Sequence, residues 1–482
     1  MTDAQRWRAF AVLAASFFMT IVDLAIVNVA LPTIGRKLHF SEANLQWVVT
    51  AYGLTFGGFL LLGGRAADLL GRRRVLMAGL AAFTGASLAC ALATSDWFLI
   101  VMRGLQGFGA AIVLPAALSI VTNMFPEGAS RNKALGLWGA VGASGATVGV
   151  LAGGLLTRYL GWEYIFYLNV PIGAAALLLT PKLVPESRLE TMRRRFDPFG
   201  GLTVTSGLLL SVYTISEAPR VGWQSPRTVS LLAAAAALLV AFLIVETRVE
   251  APLMPLRIFR LRTLAGANAC SFLLGASFYA YIFVATLYMQ QVLGLSPLQT
   301  GLAWLATSLV SVALAGLAQA LVTRGSAKAV MASGMALIAI GLLWSTRLPT
   351  HGRFVHDLLA PLVITGAGTA FAFIPVTIAG LAGVSQREAG LASGLINTTQ
   401  QVGGAIGVAV ASTVAASRFT TLVGRGASSR AALTGGFEWA FWVCGLIALV
   451  AVPVILLLVR TDEVAATLKA MSADEHAVER AV

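Results

Sequence analysis

The chain has 482 residues, 57% of them hydrophobic and 11% charged, against about 25% charged in an ordinary soluble protein. With a strongly positive mean hydropathy, this composition excludes disorder, a collagen-like fibre and a soluble multidomain enzyme, because a surface facing water must stay polar. Lipid is the missing solvent, and the sequence is that of an integral membrane protein. Cys90, Cys270 and Cys444 lie far apart in apolar stretches and read as small core residues, not as a disulfide framework. The net charge of +13 has no compact basic domain to carry it, so nucleic acid is not an expected partner.

A helix needs about 20 mostly apolar residues to cross the hydrocarbon core. In chain order such runs fall near 9–31, 45–66, 75–94, 97–121, 134–157, 164–181, 200–217, 228–247, 264–290, 298–322, 329–346, 357–381, 388–415 and 437–459, which predicts fourteen spans. The first is too long for a signal-peptide core and lacks a cleavage site, so it stays as a span. The runs are too long for barrel strands and lack period-two alternation. With both termini in the cytoplasm, 23 of the 34 Lys and Arg fall in or beside cytoplasmic segments, 10 fall outside and Arg103 lies within a span. The reverse orientation would put Arg72-Arg73-Arg74 and Arg193-Arg194-Arg195 outside, against the positive-inside rule.

Basic segments from Lys182 to Pro198 and from Arg248 to Arg262 divide the spans into six, two and six. The expected plan is a six-helix bundle over 1–185, a linker with two inserted spans and flanking basic loops over 186–262, a second six-helix bundle over 263–460 and a cytoplasmic tail over 461–482. A short internal parallel, Phe40-Ser41-Glu42-Ala43-Asn44-Leu45-Gln46-Trp47 against Leu295-Ser296-Pro297-Leu298-Gln299-Thr300, suits a duplicated transporter with a midplane site.

The most specific string is Gly64-Arg65-Ala66-Ala67-Asp68-Leu69-Leu70-Gly71-Arg72-Arg73-Arg74, between spans two and three. Its glycines allow a tight turn, and Asp68 can pair with arginines or sit at a helix start. The string resembles the G-x-x-x-D-x-x-G-R-R loop signature of the major facilitator superfamily. Asp23-Leu24-Ala25-Ile26-Val27-Asn28-Val29-Ala30-Leu31-Pro32 is similar to the span-one motif of the superfamily's fourteen-span drug:proton antiporters. Arg103-Gly104-Leu105-Gln106-Gly107 resembles their R-x-x-Q-G motif. Gly145, Gly149, Gly153 and Gly154 resemble the antiporter motif of span five, with Val150 where proline is usual. Trp162-Glu163-Tyr164-Ile165-Phe166, Asn169-Val170-Pro171-Ile172-Gly173, Asp197-Pro198-Phe199-Gly200 and the stretch from Gly390 to Gly407 extend the likeness over nearly the whole chain.

The resemblance implies an all-α major facilitator fold of 14 transmembrane helices, two six-helix bundles plus an inserted helix pair lying beside them. It implies a monomeric antiporter of a bacterial cytoplasmic membrane. Such a protein exports hydrophobic or amphipathic drugs or antibiotics by alternating access, with the proton gradient in place of any cofactor. The alternatives are an exporter of an endogenous lipid, siderophore or other metabolite, and more remotely a receptor or scaffold.

Ionisable residues inside a span cost about 2.5–3.5 kcal/mol each, and of the 21 acids only Asp23 falls well inside one. Asp23 sits roughly 12 Å, and Arg103 roughly 9 Å, below the outer ends of their spans at 1.5 Å per residue. At similar depth, Asp23 is the candidate proton carrier and Arg103 the group that tunes it. A nearby cation favours a carboxylate and burial favours the neutral acid, so a moving Arg103 or a bound substrate would switch the protonation. The plainer reading is a permanent pair that fixes helix packing.

Glycines at 139, 142, 145, 149 and 153 make one face of span five smooth, either a sealing contact between the halves or ordinary close packing. Gly403 and Gly407 are its candidate counterpart. Substrate contacts are sought among Asn28, Gln46, Trp47, Gln106, Trp138, Tyr279, Tyr281, Tyr288, Gln290, Asn397 and Gln401, which suit a large apolar ligand with a few polar groups. Against this, aromatics near span ends are often interfacial anchors and amides often tie helices together. An enzyme is not expected: the four histidines lie in loops or the tail, and H-E-x-x-H, G-x-S-x-G and a Walker loop are all missing.

Overall fold

The structure, a computed structural model, describes residues 2–125, 129–187, 197–249, 252–253, 256–324, 326–384 and 389–460. The proposed tail over 461–482 and the Arg193-Arg194-Arg195 run therefore lie outside the described residues. The helices are α1 (Asp3–Lys37), α2 (Glu42–Leu45), α3 (Trp47–Leu70), α4 (Arg72–Ala91), α5 (Asp96–Met124), α6 (Ala129–Tyr159), α7 (Tyr164–Tyr167) and α8 (Asn169–Leu183). They continue as α9 (Pro198–Val221), α10 (Pro226–Arg248), α11 (Arg262–Leu287), α12 (Pro297–Arg324), α13 (Ala327–Ser345), α14 (Leu359–Leu381), α15 (Ala389–Gly424) and α16 (Ser429–Leu458). Among the described residues 14 helical runs are long and apolar enough to cross a membrane, α7 with α8 counting as one. The fourteen predicted spans are all present.

Local chemistry starts and stops them. Thr2 caps α1 and exchanges bonds with Gln5, while Ser225 and Ser428 cap α10 and α16 by accepting from backbone N–H groups three residues on. Pro198 and Pro226 occupy first turns, where a missing N–H costs nothing. Gly71, at φ 108°, makes the sharp corner from α3 to α4; that left-handed backbone is where a Cβ would be strained. Several helices outrun the apolar stretches that announced them. α1 begins at Asp3 and α15 runs to Gly424, because intrahelical hydrogen bonds persist into the polar headgroup zone, where hydropathy no longer marks them.

The chain divides into two compact units: Met1–Met254 with Ser296–Gly301, and Pro255–Leu295 with Leu302–Val482. In the first, α5 packs against both α3 and α4, α1 lies against α6 and α8, and the inserted helix α9 packs on α3 and carries α10. Its core gathers Phe10, Phe17, Tyr52, Phe56, Phe83, Phe125 and Trp138. In the second unit α11 packs on α15, α13 on α14, and α16 on α11, α13 and α15.

Glycines set the closest of these approaches. On α6, a Cβ at Gly149 would stand 2.8 Å from the Val22 carbonyl and one at Gly153 2.7 Å from that of Ile26, both on α1. On α15, a Cβ at Gly403 or Gly407 would run into the carbonyls of Phe272 and Ala276 on α11. From Gly142 to Gly153 the smooth face of span five is thus the seam between first and fifth spans of one unit, while Gly139 has nothing within 4 Å of an added carbon; the second unit repeats the seam. Gly154, one position off that face, meets Pro297 and Leu298 instead. Gly407→Ala and Gly149→Ala are expected to destabilise by about 1–3 kcal/mol through overpacking. Gly136→Ala, with nothing within 4 Å of its added carbon, is expected to be neutral or to gain up to about 1 kcal/mol of helix propensity. Thermal unfolding in detergent, read side by side, checks the contrast.

Candidate functional site

Asp23 and Arg103 meet directly. Asp23 lies in the interior of α1, and Arg103 and Gln106 stand one turn apart on one face of α5. Ser87 and Cys90 have the same spacing on α4, and Asn169 opens α8. Arg103 Nη1 donates to Asp23 Oδ2 at 2.6 Å, while Gln106 Nε2 and Asn169 Nδ2 each donate to Oδ1 at 2.8 Å. The guanidinium also donates from Nε to the Val48 carbonyl at 2.9 Å and from Nη1 to Gln106 Oε1 at 2.6 Å. Gln106 Nε2 further reaches Ser87 Oγ at 2.7 Å. The Tyr52 ring lies 4.4 Å from the guanidinium carbon and the Phe166 ring 5.7 Å from it.

The whole group is sealed from solvent: Asp23 and Gln106 are 0% exposed and Arg103 1%. An isolated charge at such burial is untenable, and even a pair requires its remaining lone pairs and protons to be satisfied. Here α3, α5 and α8 supply hydrogen-bond partners to one ion pair between α1 and α5, α7 adds the Phe166 ring, and α4 joins through Ser87 and Gln106. The sequence reading singled out the acid and the base but not Asn169 or Ser87. The available signal is the Asn169-Val170-Pro171 string at the start of span six.

Gln106 belongs to this cluster and not to a ligand surface, since its buried amide is committed to Asp23, Arg103 and Ser87. Three other candidates are core residues for similar reasons. Trp138 stacks on Phe17 with centroids 4.4 Å apart. Tyr281 is fully buried between Trp304 and Phe441 and accepts from Ser345 Oγ at 3.4 Å. Tyr288 donates to the Pro349 carbonyl at 2.6 Å and packs on Phe437 and Phe441. Gln46 is buried and donates to Ser216 Oγ of α9 at 2.8 Å, tying the inserted pair to α3.

Trp47 is half-buried beside Tyr213. The half-buried Asn28 and Asn397 turn their amides back to the carbonyls of Leu24 and Ser393. Tyr279 is half-buried against Gly404, and Gln290 and Gln401 are buried. In the first unit the candidates are spread over α1, α3, α5 and α6 with the residue before α3, whereas in the second they lie on the span that α11 begins, Arg262–Val292, and on α15 packed against it; only Gln106 joins the ion pair.

At the α3–α4 corner the signature loop is held by the segment after α8. Arg72 N donates to the Ser187 carbonyl at 2.9 Å and Arg73 N to Glu186 Oε1 at 3.1 Å. Glu186 Oε2 lies 3.8 Å from the Nε atoms of both Arg73 and Arg74. A Cβ at Gly71 would meet that same carboxylate, and one at Gly64 would touch Pro115 of α5. The side chain of Asp68 lies outside the described residues. Glu186 is a partner the sequence reading did not assign.

Fourteen spans in two helical units, with an ion pair enclosed inside one of them and an arginine-rich corner on the same unit, define a polytopic membrane transport protein. The family profile of the Major Facilitator Superfamily matches residues 13–408 and 269–480, and the chain belongs to that superfamily of transporters; it is not an enzyme. It is 37% identical over 437 residues to the puromycin resistance protein pur8 of Streptomyces alboniger, covering 90% of this chain and 86% of that protein. It is 38% identical over 413 residues to the cephamycin export protein CmcT of Amycolatopsis lactamdurans, covering 85% of each. Among solved structures, a D-xylose-proton symporter superposes with a TM-score of 0.67 at 14% identity, over 94% of this chain and 98% of that one, a likeness of fold.

Removing one member of a buried pair strands the other charge, at a cost of about 3–5 kcal/mol, whereas replacing both is close to neutral. Asp23→Asn and Arg103→Gln are each expected to lower thermal stability by that order. The double variant is expected to recover most of it. Melting curves of the purified variants in detergent decide, and additive losses would contradict the pairing.

Proposed function

We propose that this protein exports hydrophobic or amphipathic drugs or antibiotics across a bacterial cytoplasmic membrane in exchange for protons, as a monomer with both termini in the cytoplasm. The export reading is supported by relatives named for puromycin resistance and cephamycin export. The coupling reading rests on one observation, a carboxylate fully buried in the interior of α1 and bonded to a guanidinium. An intramembrane acid of this kind is a functional-site hypothesis by default.

In this mechanism a proton taken up by Asp23 neutralises it and releases Arg103. The released guanidinium is not abandoned: it keeps the Val48 carbonyl, Gln106 Oε1 and the Tyr52 face, so the pair can open without leaving a bare charge. Return of the proton to the other side restores the pair. One charge falling through about 100 mV yields about 2.3 kcal/mol, enough to bias the exchange, and the proton gradient takes the place of a cofactor. Transport follows alternating access of the substrate site to the two sides of the membrane.

The test uses proteoliposomes loaded with a pH-sensitive dye and challenged with lipophilic cations, neutral antibiotics and lipids. Proton movement triggered by a drug in the panel is expected in the wild type. It is expected to vanish in the Asp23→Asn/Arg103→Gln double variant, which avoids the folding cost of a stranded charge. Proton flux persisting in that variant would overturn the role of Asp23. Silence toward every drug, with flux triggered by a lipid, would overturn the substrate class.

A further inference from the structure

Asp23 has three hydrogen-bonding side chains around it, and they differ in what they can offer once it carries a proton. Protonation turns one carboxyl oxygen from an acceptor into a donor, so a neighbour must present a lone pair. The Arg103 guanidinium has none. Gln106 has an acceptor oxygen, but its Oε1 already accepts from Arg103 Nη1 at 2.6 Å and from Cys90 Sγ at 3.9 Å, and its Nε2 is shared between Asp23 and Ser87 Oγ. Turning that amide would point its NH₂ at the guanidinium and break several bonds at once.

Asn169 stands differently. It is 1% exposed, its Nδ2 donates to Asp23 Oδ1 at 2.8 Å, and its approach to Ser87 Oγ is a long 3.5 Å. Its Oδ1 is buried and has no hydrogen-bond partner among the described residues. A half-turn of this amide exchanges one bond for another.

We propose that Asn169 is the positioning residue that follows the protonation of Asp23, donating from Nδ2 to the carboxylate and, after the amide turns, accepting the O–H of the acid at Oδ1. The proton stays on Asp23 throughout; only hydrogen bonds are exchanged. Asn169 opens α8 directly after α7, whose Phe166 lies beside Arg103, so the turn is made at the joint of the sixth span. The titratable and charged groups facing Asp23 among the described residues are Arg103 of α5, Tyr52 of α3 beneath it, and Cys90 of α4, whose Sγ lies 3.9 Å from Gln106 Oε1. From α6, Gly145 and Gly149 meet α1 around Asp23, at Ile21, Val22 and Ala25, while Trp138 and the charged Lys133 meet it farther toward its start, at Phe17 and Trp7; from α7 and α8 the neighbours of the pair are Phe166 and Asn169.

This inference rests on Asp23 being the proton carrier, and the experiment separates the two. Drug-triggered proton flux is measured against pH in proteoliposomes for wild type, Asn169→Leu and Asn169→Gln. Infrared difference spectra between acid and alkaline pH are recorded on the same proteins, with the Asp23→Asn/Arg103→Gln double variant as blank. Asn169→Leu is expected to displace the midpoint of the pH profile by about one unit, a tenfold change in proton affinity. It is also expected to move the Asp23 carboxyl band to higher wavenumber, while Asn169→Gln restores both.

In wild type grown with ¹³C-labelled asparagine, an asparagine carbonyl band is expected in the difference spectrum and not in the blank. This needs no variant at 169 to fold. Absence of that band, or an Asn169→Leu protein that loses amplitude with band and midpoint unmoved, overturns the role of Asn169. Wild type without any Asp23-dependent flux or band overturns the proton-carrier reading itself.

Discussion

A carboxylate and a guanidinium buried together in a helical bundle survive only if nearly every remaining donor and acceptor of the two is satisfied, and that requirement organises the first unit. Asp23 needs three donors and receives them from α5 and α8; Arg103 needs acceptors and finds Asp23, the first turn of α3 and its own helix neighbour Gln106. Ser87 on α4 closes the group by accepting from Gln106. Each helix that contributes a polar atom must come close, and small residues make the approach possible. On α5, Gly107 lies against the backbone of Tyr52 and Gly109 against that of Phe83, which brings α3 and α4 to either side of the helix carrying the arginine.

The second unit shares the seam but not the charge. Gly403 and Gly407 fit α15 to α11 as Gly149 and Gly153 fit α6 to α1. Among the described residues there, the fully buried polar side chains are uncharged, including Asn268, Ser271, Ser277, Thr286, Ser345, Thr365 and Thr369. Thr399 donates to Asn268 Oδ1 and Ser271 to the Ile396 carbonyl across that seam. The packing is thus duplicated between the two units, while the enclosed ion pair belongs to the first.

The physics of burial explains what the sequence could show. Fourteen spans were legible because apolar length is what a bilayer selects for, and Asp23 and Arg103 were legible because a charge inside a span is rare for energetic reasons. Asn169, Ser87 and Gln106 carry no charge, so nothing in composition separates a side chain that completes an ion pair from one that ties two helices. Aromatic residues misled for the converse reason: Tyr281, Tyr288 and Trp138 can line a cavity or fill a core, and only their partners, Ser345, the Pro349 carbonyl and Phe17, decide for the core. Glu186 was invisible because it meets Arg73 across more than a hundred residues of chain.

The inserted pair gains a physical role from the same geometry. α3 presents Val48 and Tyr52 to Arg103, and it also holds α5 through the Thr55 hydroxyl, which donates to the Gly104 carbonyl at 2.8 Å. Toward α9 stand Gln46, the residue just before α3, bonded to Ser216, and Gly58 of α3, against which the Thr205 side chain is fitted. A helix gripped on both sides in this way cannot shift without disturbing either the arginine or the inserted pair. Two additional spans that touch no part of the ion pair therefore still bear on it, by fixing the helix that carries its carbonyl acceptor and its aromatic floor.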